Sequence, residues 1–184
     1  MRPPSPLFEA ESERLLEASR LGPVADLACG RGLHTLAAAG RGAVAIGFDR
    51  DAAALAELQR TARARRLPAH AVRTDLEAGR GIPVRAAGCG AILVFRFLFR
   101  PLAGAIREAL SPGGLLLYET FTIHQKSFGY GPRNEDFLLR PGELLETFRD
   151  LEVLSYWEGI SEGDHPEALA RLAARSRGRS IGRR

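Results

Sequence analysis

The residues Val24 to Gly32 (VADLACGRG) constrain this chain more than any other stretch. They read as a short buried strand that ends in an acid, Asp26, and runs into a glycine turn. A helical pattern, Leu33 to Ala39, follows at once. Strand, glycine turn and helix in this order form the unit with which α/β sheets hold nucleotide-like ligands. Gly30 and Gly32 have no Cβ, so the backbone can approach a ligand there. The helix start offers unpaired N–H groups.

The same alternation continues along the chain. Ala43 to Asp49 (AVAIGFD) is a second strand ending in an acid, followed by an alanine-rich helix over Ala52 to Arg65 with basic residues at its C-terminal end. Ala69 to Arg73 is a third strand, with Asp75 just beyond it. Residues 76–90 read as a loop, Ala91 to Phe95 as a fourth strand and Leu102 to Leu110 as a helix. The turn Ser111 to Gly114 leads into a fifth strand, Leu115 to Thr120. A long loop over 122–140 and a short helix, Gly142 to Phe148, precede two closing strands, Leu151 to Glu158 and Glu167 to Ala174; the alanines of the last also suit a helix. Residues 5–20 have the spacing of one helix ahead of the sheet. Strands alternating with helices imply a parallel sheet with right-handed crossovers. Ligands on such sheets bind beyond the C-terminal strand ends. Asp26, Asp49 and Asp75 all fall there, which predicts three carboxylates along one rim.

Composition narrows the class. A chain of 184 residues is one domain by default. No apolar run reaches the ~18 residues of a bilayer span, and the first residues contain no apolar signal core, so a cytoplasmic protein without membrane contact is expected. The net charge of +4 is unevenly spread. Residues 171–184 hold six arginines and no acid; the rest of the chain has 20 basic residues against 22 acidic ones. A uniform nucleic-acid face is therefore not indicated, although RNA contact through the tail is possible. Cys29 and Cys89 fall at opposite ends of their strands, too far apart for a disulfide. The four histidines (34, 70, 124, 165) have no metal-ligand spacing.

These motifs resemble the class I S-adenosylmethionine-dependent methyltransferases over roughly the whole chain. The first motif stands here as Asp26, Ala28, Gly30 and Gly32, with Ala28 replacing the family's first glycine. The resemblance implies that Asp49 binds the ribose hydroxyls and that Asp75 contacts the adenine amino group. Cys29, Arg50, Leu76 and Phe95 complete the implied cofactor site for S-adenosyl-L-methionine. The turn Ser111 to Gly114 matches the family's Pro-Gly-Gly. RFLFRP (96–101), YETF (118–121) and FLLRPGEL (137–144) look like a small bacterial subgroup near the tellurite-resistance methyltransferases. The fold implied is a Rossmann-like three-layer α/β sandwich. Its mostly parallel seven-stranded sheet has the order 3-2-1-4-5-7-6, with strand 7 antiparallel and helices on both faces. It occupies 1–175, with an N-terminal helix in 1–20, a lid-like loop over 122–140 and a basic flexible tail over 176–184.

The residues favour this cofactor independently. S-adenosylmethionine has a sulfonium and an ammonium but no phosphate. A dinucleotide fingerprint needs a third glycine where this chain has Leu33-His34-Thr35, and an acid near the turn repels pyrophosphate. Methyl transfer from a sulfonium is an in-line displacement that asks mainly for position and a dry site. Arg96, Phe97, Tyr118, Glu119, Phe121 and His124 are expected around the acceptor. Among them His124, Tyr118 and Arg96 are the candidate catalytic groups, and His124 is the candidate base. Arg96 and Arg133 favour an anionic acceptor. A small-molecule acceptor is the leading expectation. RNA or protein methylation and a non-catalytic cofactor-binding module are the alternatives, and monomer and homodimer both stay open.

Overall fold

The computed structural model describes residues 3–163 and 165–177. Residues 178–184, most of the expected tail, lie outside the described residues.

Seven strands form one sheet: β1 (Val24–Leu27), β2 (Ala45–Asp49), β3 (Ala69–Arg73), β4 (Cys89–Phe95), β5 (Leu110–Phe121), β6 (Glu152–Ile160) and β7 (Ala168–Arg175). Their spatial order is β3-β2-β1-β4-β5-β7-β6. β1 to β5 pair in parallel, and β7 runs antiparallel to both its neighbours. The expected order is thus the observed one. β4 (CGAILVF) is buried at every position, as a strand covered on both faces must be.

Side chains alternate between two cores. Ala91, Leu93, Phe95, Leu115 and Leu117 pack with α1 (Pro6–Ala10), α2 (Ser12–Ala18) and α3 (Leu33–Gly40). Ile92, Val94, Leu116 and Tyr118 pack on the other face with α5 (Ala103–Ala109) and α6 (Glu143–Thr147). α4 (Ala52–Ala64) lies on α3 through Leu36, Leu55 and Leu58. Its start is capped by Asp51, which accepts from the N–H groups of Ala53 and Ala54 at 2.8 and 3.1 Å.

Several boundaries differ from the sequence reading. The helix expected over 5–20 breaks at Glu11 (φ −102°, ψ 10°), whose side chain is buried and accepts from Arg14 and Ser155. β4 begins at Cys89 rather than Ala91, and β5 absorbs the Ser111–Gly114 turn through a register shift against β4. The 122–140 loop contains two 3-10 turns, Ile123–Phe128 and Glu135–Phe137. It is pinned where it begins and ends: Ile123 N–H donates to Leu139 and Leu139 N–H donates to Phe121, at 2.8 and 2.9 Å. Residues 168–175 form the expected closing strand rather than a helix, because β5 and β6 both need a hydrogen-bonding partner between them.

Cys29 follows β1 and Cys89 opens β4, and both thiols are free. Among the described residues no helix is long and apolar enough to cross a membrane, and no cluster of His, Cys, Asp or Glu could hold a metal ion.

Candidate functional site

A cavity of about 320 Å³ opens beyond the C-terminal ends of β1, β2 and β3. Ala28, Leu76, Phe97 and Phe137 give it an apolar wall; Asp49, Asp75 and the Arg50–Glu77 pair (2.8 Å) give it a polar one. The turn after β1 is bound to the end of β2. Asp49 Oδ2 accepts from Gly30 N–H at 2.7 Å, and its Oδ1 accepts from Asp51 N–H at 2.9 Å. Asp75 accepts from Glu77 N–H at 3.0 Å. Both carboxylates are therefore held by neutral backbone donors at the cavity.

The two turn glycines serve different ends. Gly32 (φ 78°) lies against α4, where an added Cβ would meet Leu58 Cδ1 at 2.4 Å. Gly30 (φ 53°) has nothing within 4 Å of that position and faces open space.

Asp26 does not join the other two acids at the cavity. It is 2% exposed, and its Oδ2 accepts from Thr35 N–H at 2.9 Å and Thr35 Oγ1–H at 2.6 Å, which caps the first turn of α3. Burial pushes its carboxyl up to about 7, the Thr35 hydrogen bonds oppose the rise, and nearby Asp49 adds to it. Cys29 is likewise part of the scaffold. Its N–H donates to Phe48, its carbonyl accepts from Gly32, and its thiol lies against Gly47, with burial pushing the thiol up strongly.

Phe95, expected at the cofactor, lies on the opposite face of the sheet. The period of two along β4 turns it toward the N-terminal helices, where it stacks on His34 at 3.7 Å between ring centroids. With Pro3 to Pro6, Leu33, His34, Arg96 and Glu119 it lines a second cavity of about 250 Å³. Ser5 closes this one: its N–H donates to His34 Nε2 at 3.1 Å and its hydroxyl to Glu119 at 2.6 Å.

The three expected catalytic groups do not come together. Tyr118 is buried on the α5/α6 face, its hydroxyl donating to the Phe97 carbonyl at 3.1 Å, and burial pushes its phenol far up. His124 is exposed on a 3-10 turn and lines neither cavity. Arg96 is at the second cavity, but Glu167 takes both its Nη atoms at 2.6 and 2.7 Å and Glu119 stands 3.3 Å from its Nε. Its charge is balanced, so it offers no net attraction to an anion. Arg133 is exposed and donates to Gly129. Composition gave no signal for Ser5 or Phe137 as wall residues, and His34 carried only its imidazole.

Residues 24–114 match the family model described as a methyltransferase domain. Among solved structures, the chain is similar to TehB from Haemophilus influenzae, with 22% identity, a TM-score of 0.72 and coverage of 90% of this chain. It spans only 62% of the TehB chain. A Methanosarcina mazei S-adenosylmethionine-dependent methyltransferase is 14% identical with a TM-score of 0.71, covering 96% of this chain and 100% of that one. Geranyl diphosphate C-methyltransferase from Streptomyces coelicolor is 16% identical with a TM-score of 0.66, covering 91% and 76%. At these identities the likeness is one of fold. No curated protein matches the chain in sequence. The matched residues of the methyltransferase domain include Ala28, Asp49, Asp75 and Phe97, but not Phe137.

Proposed function

We propose that this protein transfers a methyl group from S-adenosylmethionine to a small acceptor. The observation that supports this most is the pairing of two uncompensated carboxylates with an apolar wall in one cavity at the C-terminal strand ends. A nucleoside needs both. Asp49 accepts from the ribose hydroxyls, and the base lies between Leu76, Phe97 and Phe137 with Asp75 at its amino edge. Two negative charges also favour a ligand with a sulfonium and an ammonium over one with a pyrophosphate.

The protein's own residues then do three things. Asp49 and the turn around Gly30 orient the nucleoside. The apolar wall excludes water. The second cavity, on the far side of the β1–α3 turn, receives the acceptor beside His34. In-line attack places the acceptor on the methyl opposite the departing sulfur, and positioning supplies most of the acceleration.

Calorimetric titration with S-adenosylhomocysteine tests the reading. A saturable one-to-one complex is expected, with no competition from NAD. Labelled methyl from S-adenosylmethionine should pass into small molecules of a fractionated extract. Absence of binding, or displacement by NAD, overturns it. Methylation of RNA that is lost when residues 178–184 are trimmed favours the macromolecular reading instead.

A further inference from the structure

The apolar wall has one contributor from far along the chain. Phe137 belongs to the 3-10 turn Glu135–Phe137, outside the residues that the family model matches. Its ring is 46% exposed, yet it lines the same cavity as Phe97. A half-exposed phenylalanine ring on a short turn needs something to hold it in place.

Arg100 supplies that. Its Nη1 donates to the carbonyl of Asp136 and its Nη2 to the carbonyl of Leu138, each at 2.8 Å. These two carbonyls flank Phe137 in the chain. The guanidinium is aimed by Glu143, which accepts from Arg100 Nε at 2.5 Å and from Nη2 at 3.0 Å. Glu143 is in turn fixed by the N–H of Arg140 at 2.8 Å. Arg100 stands three residues after Phe97, whose own carbonyl is held by the Tyr118 hydroxyl. The two aromatic walls are thus pinned from one locality: Phe97 through Tyr118, Phe137 through Arg100. A planar fork can bridge the two carbonyls either side of Phe137 and a carboxylate together.

We propose that Arg100 is a positioning residue that holds Phe137 over the purine base of the bound nucleoside, with Phe97 as the opposing ring. The identity of the base rests on the cofactor reading above. Stacking on an aromatic ring is the expected source of affinity for the base. Tyr118 acts here through Phe97 and not on the acceptor.

The test is calorimetric titration of the full chain with S-adenosylhomocysteine and with 5′-methylthioadenosine, which share the base and the ribose. Phe137→Ala should weaken both ligands by the same factor, roughly tenfold. Phe137→Tyr should restore the affinity. Arg100→Lys keeps a cation beside Glu143 but cannot bridge the two carbonyls, and should weaken both ligands about as much. The double variant should be no worse than Phe137→Ala alone. Melting curves without ligand confirm that each variant is folded; should Arg100→Lys fail to fold, the Phe137 pair still decides. Unchanged affinity in Phe137→Ala, or fully additive losses in the double variant, overturns the inference. Failure of the cofactor reading looks different, because then the wild-type protein binds neither ligand.

Discussion

The two halves of the sheet's C-terminal edge use acids in opposite ways. Beyond β1, β2 and β3, Asp49 and Asp75 are held by backbone N–H groups, which bring no formal charge. Beyond β4 and β5, the acids Glu119 and Glu167 are met by cations. Glu119 accepts from Arg171 at 2.8 Å, stands 3.3 Å from Arg96 Nε, and also takes the Ser5 hydroxyl at 2.6 Å. Glu167 closes on Arg96 with two bonds. Glu119 is 1% exposed, and a carboxylate so buried needs charged partners. One half leaves its acids to neutral donors; the other pairs them with cations.

The largest expected effect breaks the second half. Glu119→Gln leaves Arg96 and Arg171 facing a neutral amide. Removing one partner of a buried ion pair costs several kcal/mol, and the partial exposure of both arginines reduces this to about 3 kcal/mol. Urea unfolding should show that loss, while S-adenosylhomocysteine affinity stays within about twofold. A large loss of affinity with little loss of stability would mean that the two halves do not divide the work in this way.

Asp49→Ala is the mirror experiment. It removes a charged acceptor from the proposed ribose contact and should weaken S-adenosylhomocysteine about a hundredfold, or ~2.7 kcal/mol. It also frees Gly30 N–H, so the stability loss should be real but smaller, about 1 kcal/mol. Calorimetry and urea unfolding of one preparation separate the two effects.

Much of this division was legible in the sequence, for a physical reason. Strand ends follow from apolar runs, and an acid at a strand end has one place to be, so Asp49 and Asp75 could be assigned to the rim before any coordinates. Which face a strand residue takes also follows from the period of two, but only once register is known. Phe95 faces the N-terminal helices and Tyr118 faces α5 and α6, which the period of two alone does not decide. Asp26 was assigned by position alone. Its bond to Thr35 depends on how α3 docks, which no local pattern states. Arg96 carried the same kind of error: a charge is visible in sequence, whereas its partner Glu167, 71 residues away, is not. Phe137 escaped notice because its role depends on a loop whose anchor, Arg100, comes from a different part of the chain.

Gly32→Ala probes the turn that joins the halves. The added Cβ would lie 2.4 Å from Leu58 Cδ1, at a φ of 78° that disfavours a side chain. Stability should drop by about 2 kcal/mol as α4 is forced off α3. Gly30→Ala meets no atom within 4 Å and strains only its φ of 53°, so it should cost about 1 kcal/mol. Equal losses in the two variants would mean that the turn has no inner and outer side.

The smallest effect concerns the acid that belongs to neither half. Folded, the Asp26 carboxyl keeps its proton until about pH 7, because burial disfavours the charge; unfolded, it releases it near pH ~4. Between those values folding takes up a proton. The contribution is fully present below the unfolded value, declines as pH rises through this window, and is gone once the pH has passed the folded value. Asparagine has the same shape, and its Oδ1 can still accept both Thr35 bonds. Asp26→Asn should therefore flatten the decline in stability between pH 5 and pH 7.5 relative to the wild type. It should leave S-adenosylhomocysteine affinity within about threefold, because the side chain caps α3 and does not line the cavity. The observed heat of binding at pH 7 should be the same in phosphate and in Tris, whose ionisation enthalpies differ. A proton released on binding, and lost in the Asn variant, would show that the ligand's ammonium reaches Asp26 after all, and the acidic half of the edge would then extend one strand further.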